Sequence, residues 1–184
     1  VAKRVALTFE NTDTILYATL VHQVGALLCK IGQLQKSKVW AGKALLIRIK
    51  TLGERHPATL RSMSNLAQIL QNLGQLRTAK ELHKKTMKIQ TEMLGERHLH
   101  TLISMNNLAT IFRTLGKPSE AKELHMKTLT IQTEMLGERH PDTVLSMNNL
   151  VLVLQDLGHL WEAKELQEKT LTIRTELLGE RHPT

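Results

Sequence analysis

The sequence predicts an all-α chain, an array of helical hairpins stacked as a solenoid, and three observations predict it. The string Leu-Gly-Glu-Arg-His occurs at Leu52 to His56, Leu94 to His98, Leu136 to His140 and Leu178 to His182, a constant interval of 42 residues. A fixed interval spanning a chain marks units that bury their apolar faces against neighbours. Eight of the ten glycines fall in two columns, Gly32/Gly74/Gly116/Gly158 and Gly53/Gly95/Gly137/Gly179. Each follows an apolar residue at the end of a periodic run, where left-handed backbone terminates a helix. Two stops per interval mean two helices per repeat. The apolar residues between the stops recur at helical spacing.

In chain order, residues 1 to 10 share the phase of Lys43 to Leu52 and are expected to end the second helix of an upstream repeat. A degenerate repeat, 11 to 52, follows, with helices from Thr14 to Ile31 and Leu34 to Leu52. The repeats 53 to 94, 95 to 136 and 137 to 178 are much more alike. Their expected helices are 57 to 73 and 76 to 94, 99 to 115 and 118 to 136, and 141 to 157 and 160 to 178. Residues 179 to 184 open a further repeat. Pro57, Pro141 and Pro183 follow the string directly, and proline suits a first helical turn, whose N–H has no partner anyway. Pro118 does the same for a second helix.

The apolar stripes predict how the helices pack. In the third repeat Met105, Leu108, Ala109, Phe112 and Leu115 form one stripe, and Ala121, Leu124, Thr128, Leu129 and Ile131 form another, so the pair reads as an antiparallel hairpin. The column Ala79, Ala121 and Ala163 allows close helix approach. On the opposite face Glu81, Glu123 and Glu165 precede Lys85, Lys127 and Lys169 by four residues, the favourable order for pairs within a helix. Glu54, Glu96 and Glu138 are expected to pair with Arg55, Arg97 and Arg139 between layers.

Composition sets bounds. Hydrophobic content of 41% and charged content of 23% suit a folded chain, and no apolar run reaches membrane-spanning length. Cys29 is the only cysteine, which excludes an internal disulfide and favours a reducing, cytoplasmic setting. The net charge of +8 favours acidic partners. Motifs for nucleotide binding, zinc proteolysis and acyl transfer are all missing, so no enzyme activity and no cofactor are expected. The scattered aromatics, 3% of the chain and read as mostly core-facing, make nucleic-acid binding the weaker alternative.

The columns of Asn107, Leu108, Ala109, Phe112, Gly116, Ala121 and Leu124 resemble the tetratricopeptide repeat. The 42-residue length, with Leu-Gly-Glu-Arg-His-Pro-Asp-Thr ahead of Ser146-Met147-Asn148-Asn149-Leu150, is similar to the variety found in kinesin light chains and NB-ARC-associated repeats. The resemblance implies a right-handed superhelix whose first helices line a concave groove that binds an extended peptide. Carried over by column, that groove is lined by Arg61, Ser64, Asn65, Gln68, Asn72, Ile103, Asn106, Asn107, Thr110, Arg113, Leu145, Asn148, Asn149 and Leu152, with His22, Gln23, Gln71 and Thr114 beside them. Asparagines would hold the peptide main chain, Arg61 and Arg113 would favour acidic side chains, and Ile103, Leu145 and Leu152 would supply apolar contacts. An alternative is a regulatory or self-associating segment of a larger signalling ATPase.

Two groups of residues carry rival readings. Asparagine is a poor mid-helix residue, so its columns are either ligand contacts or a ladder that ties repeats together. His56, His98, His140 and His182, or His83 with His125, suggest metal ligands. Histidines one repeat apart, however, stand about 8–10 Å from one another on adjacent helices, too far to share a zinc ion at about 2 Å from each. A role at helix starts is favoured, and no metal is expected.

Overall fold

A computed structural model describes residues 2–181 of the chain, with side chains described for 14–177. Its eight helices are α1 (Ala2–Lys30), α2 (Leu34–Leu52), α3 (Pro57–Asn72), α4 (Leu76–Leu94), α5 (Leu99–Thr114), α6 (Pro118–Leu136), α7 (Pro141–Asp156) and α8 (Leu160–Arg181). No strand occurs among the described residues. No helix among them is long and apolar enough to cross a membrane.

Two kinds of joint separate these helices. At the end of α3 Gly74 adopts φ 73°, its N–H donates to the Gln71 carbonyl at 2.9 Å, and the Gln75 N–H donates to the Leu70 carbonyl at 2.8 Å. These reversed bonds satisfy carbonyls that a helix end leaves open. The same pair recurs around Gly32, Gly116 and Gly158. The second joint is the repeated string. Gly53 and Gly137 stand at φ 82–83° and ψ 163–164°, a region essentially closed to other residues. Three residues later a histidine starts the next helix: Nδ1 of His56, His98 and His140 accepts the N–H of Ala58, His100 and Asp142 at 3.1–3.2 Å. The helix-start role expected for these histidines is therefore what the structure shows. Helix α5 starts on Leu99 with the same cap and no proline, so the histidine matters more than the proline.

The helices group into two compact units, Val1–Ile89 and Gln90–Thr184. In the first, α1 packs on α2 and α2 on α3; in the second, α5, α6, α7 and α8 pack in sequence. Each core strip draws on more than one repeat. Leu45 of α2 joins Leu60 and Met63 of α3 and Ile89 of α4. Val144, Met147 and Ile173 pack with Leu129 of the preceding α6 and with Leu166 and Leu177 of α8. Ala79, Ala121 and Ala163 are buried, as is Ser37 in the same column, whose Oγ donates to the Gly25 carbonyl at 2.7 Å. A Cβ on Gly25 would lie 3.2 Å from the Ala41 backbone nitrogen, which shows how closely α1 and α2 approach.

The structure departs from the sequence reading in four places. Helix α1 is one unbroken helix, not the end of an earlier helix followed by a new one at Thr14. Asn11 occupies the column of Gly53, and without glycine the sharp joint does not form. Helix α8 runs through Gly179 to Arg181. Residues 182–184, including Pro183 and half of the expected 179 to 184 segment, lie outside the described residues, as does the side chain of Phe9.

The third departure concerns the charge pairs. Lys85, Lys127 and Lys169 do not bond Glu81, Glu123 and Glu165; they reach Glu54, Glu96 and Glu138 of the preceding joint at 2.5, 2.7 and 2.6 Å. Arg97 bonds Glu134 instead of a joint glutamate, and Arg139 bonds Glu176. A pair within a helix contributes only about 0.3–0.5 kcal/mol, so a carboxylate brought close by the joint displaces it. Finally, Trp161 is 78% exposed and Tyr17 54% exposed, so these aromatics are not core residues.

Thr59, Thr86, Ser104, His83, His125 and Gln132 are buried among the apolar residues. Burial lowers His83 and His125 from 6.5 to about 4, and the Arg113 charge adds to the effect at His125. Below pH 6.5 the unfolded chain takes up protons that the folded chain refuses until about pH 4. Stability is therefore full above pH 6.5 and falls between 6.5 and 4, on the order of 3 kcal/mol for each histidine. Urea midpoints measured across that window should show the loss, and His83→Gln, the residue of the equivalent position Gln167, should remove about half of it and leave the share of His125.

A second expectation concerns two glycines of the α2 region. Gly53→Ala forces a side chain into closed backbone space and should cost about 1–3 kcal/mol. Gly42→Ala is helical with nothing within 4 Å of the added carbon, and should stabilise by about 0.5–1 kcal/mol. Melting temperatures of the two variants should move in opposite directions.

Candidate functional site

In the second unit α5 and α7 are neighbours, and together with α6 they enclose a small cavity of about 100 Å³. It is lined by Ile103, Asn106, Asn107, Thr110, Gln132, Asp142, Leu145 and Asn149. Six of these are the residues expected from the repeat columns. Gln132 and Asp142 are not: Gln132 reaches the cavity from α6, and Asp142 stands in the first turn of α7. The column Arg48, Gln90, Gln132 and Arg174, polar within otherwise apolar surroundings, is the signal for the first. Of the expected residues, Arg113, Asn148 and Leu152 do not line this cavity.

The asparagines divide by hydrogen bonding. Asn106 is a tie between helices: its Oδ1 meets Nδ1 of His125 at 2.9 Å, and its Nδ2 donates to Oγ of Ser146 on α7 at 2.7 Å. The ladder reading therefore holds for Asn106. Asn148 donates only to the Val144 carbonyl of its own helix. Asn107 and Asn149, one position on, are half-buried and make no hydrogen bond to described residues. Beside them Ile103 and Leu145 are 44% and 54% exposed, costly positions for such side chains unless something covers them. Thr110 bonds the Asn106 carbonyl. Arg113 Nε donates to Asp156 at 2.6 Å, so its charge is committed within the protein.

The first unit builds its equivalent face from α1 and α3 with different chemistry. Ser64 stands where Asn106 does and is too short to repeat its bonds; both nitrogens of buried His83 are left without partners, as is Nδ2 of Asn65. Gln68 donates to Asn72, whose Nδ2 lies 3.9 Å from Sγ of Cys29 on α1. Arg61 is exposed. Arg48 of α2 is buried and donates to the Ala58 carbonyl at 3.1 Å and to Oγ of Ser62 at 2.7 Å. Burial, then the charges of Arg48 and Arg61, lowers the pKa of His22; burial and Arg61 lower that of Arg48. Among the described residues no group of three or more His, Cys, Asp or Glu is placed to hold a metal.

Because Asn106 satisfies two buried partners, Asn106→Ala should lower stability by about 1–3 kcal/mol. Asn148→Ala removes a bond within one helix and should change it by less than about 0.5 kcal/mol. Denaturant unfolding of the two variants measures the difference.

Comparison with known proteins agrees with this geometry. Tetratricopeptide repeat models match residues 16–92, 63–134 and 143–184. A search of curated proteins finds no match. Among solved structures, nearly identical TPR-like repeats from Podosopora anserina, described as a kinesin light chain, share 30% identity. They superpose with a TM-score of 0.75 over 87% of this chain and 76% of theirs. A variant of those same repeats carrying one substitution gives 29% and 0.78, over 88% and 76%. BtubC (BKLC) from P. vanneervenii, at 21% identity, shares the fold with a TM-score of 0.82 over 93% of this chain and 68% of its own. The chain thus belongs to the tetratricopeptide repeat family, as an all-α array of the kinesin-light-chain-like type.

Proposed function

We propose that this chain is a non-catalytic protein-interaction scaffold that holds an extended peptide along the exposed face of its first helices, in a reducing cytoplasmic setting. The observation that supports this reading is the pair Asn107 and Asn149. Two half-buried amides open onto one cavity, beside exposed Ile103 and Leu145, with no bond to described residues. An amide offers one acceptor and two donors, which suits the alternating C=O and N–H of an extended main chain. Ile103 and Leu145 then cover an apolar side chain of the ligand, a contact of about 1.5–3 kcal/mol when fully buried.

The size of the cavity, about 100 Å³, favours a single peptide side chain over a small-molecule substrate, whose sites usually measure roughly 300–1,000 Å³. The charge pattern weighs against a face that tracks nucleic-acid phosphates. Lys85, Lys127 and Lys169 are each paired with a glutamate. With Arg113 committed to Asp156, the preference for acidic ligand residues falls to Arg61.

The test uses dodecapeptides selected from a random library on the intact chain, with affinity measured by calorimetry. Asn107→Ala together with Asn149→Ala should weaken binding about tenfold or more and leave the melting temperature within a few degrees. Unchanged affinity with a lowered melting temperature would return both residues to the ladder role and sink the proposal.

A further inference from the structure

The cavity between α5 and α7 carries a negative charge that no cation of the protein balances. Asp142 is the only charged residue of its lining, and among the described residues no lysine or arginine pairs with it. Nδ1 of His140 lies 3.8 Å from the carboxylate, but that nitrogen accepts the Asp142 N–H at 3.2 Å. It therefore presents a lone pair and no positive charge. Other acids of the same unit are balanced: Asp156 holds Arg113, Glu96 holds Lys127 and Glu138 holds Lys169.

A second acceptor lies deeper. Gln132 lines the same cavity from α6 and is 1% exposed, and its Oε1 has no hydrogen-bond partner. A buried amide oxygen left open is destabilising, so a donor arriving from outside is favoured there. The array does not need the acid for its own joint. The column of Asp142 holds Ala58 and His100 in the earlier repeats, and the preceding histidine caps their N–H groups in the same way. The Asp142 side chain is 40% exposed and Ile103 and Leu145 are exposed beside it. The cavity thus has a mouth of one carboxylate and two apolar side chains, and a floor with an open carbonyl.

A side chain that matches this lining needs an apolar stem, donors without acceptors, and a positive charge. Lysine has all three: four methylenes that lie along apolar surface and an ammonium with three donors and no acceptor. Its compact head suits a cavity of about 100 Å³ better than the wider, planar guanidinium of arginine. A neutral aliphatic side chain would leave both acceptors open, and an acidic one would set a second negative charge beside Asp142.

We infer that the α5/α7 cavity is a subsite for a lysine side chain of the bound peptide, with its methylenes against Ile103 and Leu145 and its ammonium shared by the Asp142 carboxylate and Gln132 Oε1. The inference rests on the peptide-scaffold reading and deepens it: Asn107 and Asn149 hold the main chain, and the cavity beside them selects the residue. The net charge of +8 disfavours a cationic peptide at long range. A preference for lysine therefore reports a local site.

Amide-shift titrations by NMR, which read weak binding, test this on the intact chain. The probes are three acetylated and amidated octapeptides of serine and alanine that carry one central lysine, norleucine or glutamate. At about 50 mM salt, where screening is modest, the lysine probe should bind at least tenfold tighter than the norleucine probe, which has the same methylenes and no ammonium. The glutamate probe should bind most weakly. Asp142→Asn should bring lysine to the level of norleucine and leave norleucine unchanged, and Gln132→Leu should weaken the lysine probe alone. Glu123→Gln, which removes an exposed carboxylate of α6 outside the cavity, should retain the full preference. Asp142 also faces the positive end of α7, so melting temperatures are measured alongside, and that of Asp142→Asn should stay within a few degrees of the native value.

A lysine probe that binds no better than norleucine would overturn the subsite, as would a preference that survives Asp142→Asn. Asn107→Ala with Asn149→Ala should weaken the lysine and norleucine probes by the same factor. If that pair has no effect while Asp142→Asn removes the preference, the main-chain reading fails and the subsite stands. If the pair weakens both probes but native affinities for them are equal, the subsite fails and the main-chain reading stands.

Discussion

A hairpin of two amphipathic helices leaves one face uncovered, and every feature of this chain follows from the need to cover it with the next hairpin. Leu45 of α2 is buried only because Leu60 and Met63 of α3 lie against it, and Leu129 of α6 is partly buried because Val144 and Met147 of α7 lie against it. Such packing requires that each chain reversal deliver the next helix at one angle and one depth. The string Leu-Gly-Glu-Arg-His meets that requirement. Glycine takes a backbone conformation that other residues avoid, and histidine satisfies an open N–H in the first turn of the helix that follows. Glu54, Glu96 and Glu138 then hold the joint to the second helix of the same repeat. These exposed pairs contribute little energy each, but they fix the position of an irregular segment between two regular ones.

Helix order and nearly every helix boundary are legible in the sequence because glycine columns and apolar periodicity report local backbone geometry directly. The failures occur where a local signal is absent or overridden. Asn11 in place of glycine gives no stop, and α1 continues. The Glu81–Lys85 pairing rule describes an isolated helix, and a carboxylate from the joint overrides it. Trp161 and Tyr17 read as core from their chemistry, although exposure depends on what lies opposite them.

The face of the first helices is legible as a set of columns, not as a division of labour within them. Asn106 and Asn107 are adjacent, and only the structure shows that the first ties α5 to α6 and α7 while the second opens onto the cavity. Arg61 and Arg113 look equivalent until Asp156 claims one of them. Gln132 escapes notice because a polar residue deep on a second helix has no place in an amphipathic stripe. His125 reads in sequence only as a metal ligand, and its bond to Asn106 is a relation between helices that no single stretch of sequence displays.

The near-identity of the repeats poses a problem of address that the buried polar residues resolve. Repeats 53 to 94 and 95 to 136 differ so little on their apolar faces that a helix docked one repeat out of place would bury much the same surface. What differs is inside: Asn106 satisfies His125, whereas Ser64 leaves His83 open, and Arg48 finds Ala58 and Ser62 as acceptors where Gln132 faces a cavity that Asp142 also lines. A misplaced helix would meet the wrong partner and strand a buried donor or charge, a larger penalty than any change in apolar contact. The polar interior therefore distinguishes otherwise interchangeable neighbours, so that one stacking order is preferred to its shifted copies.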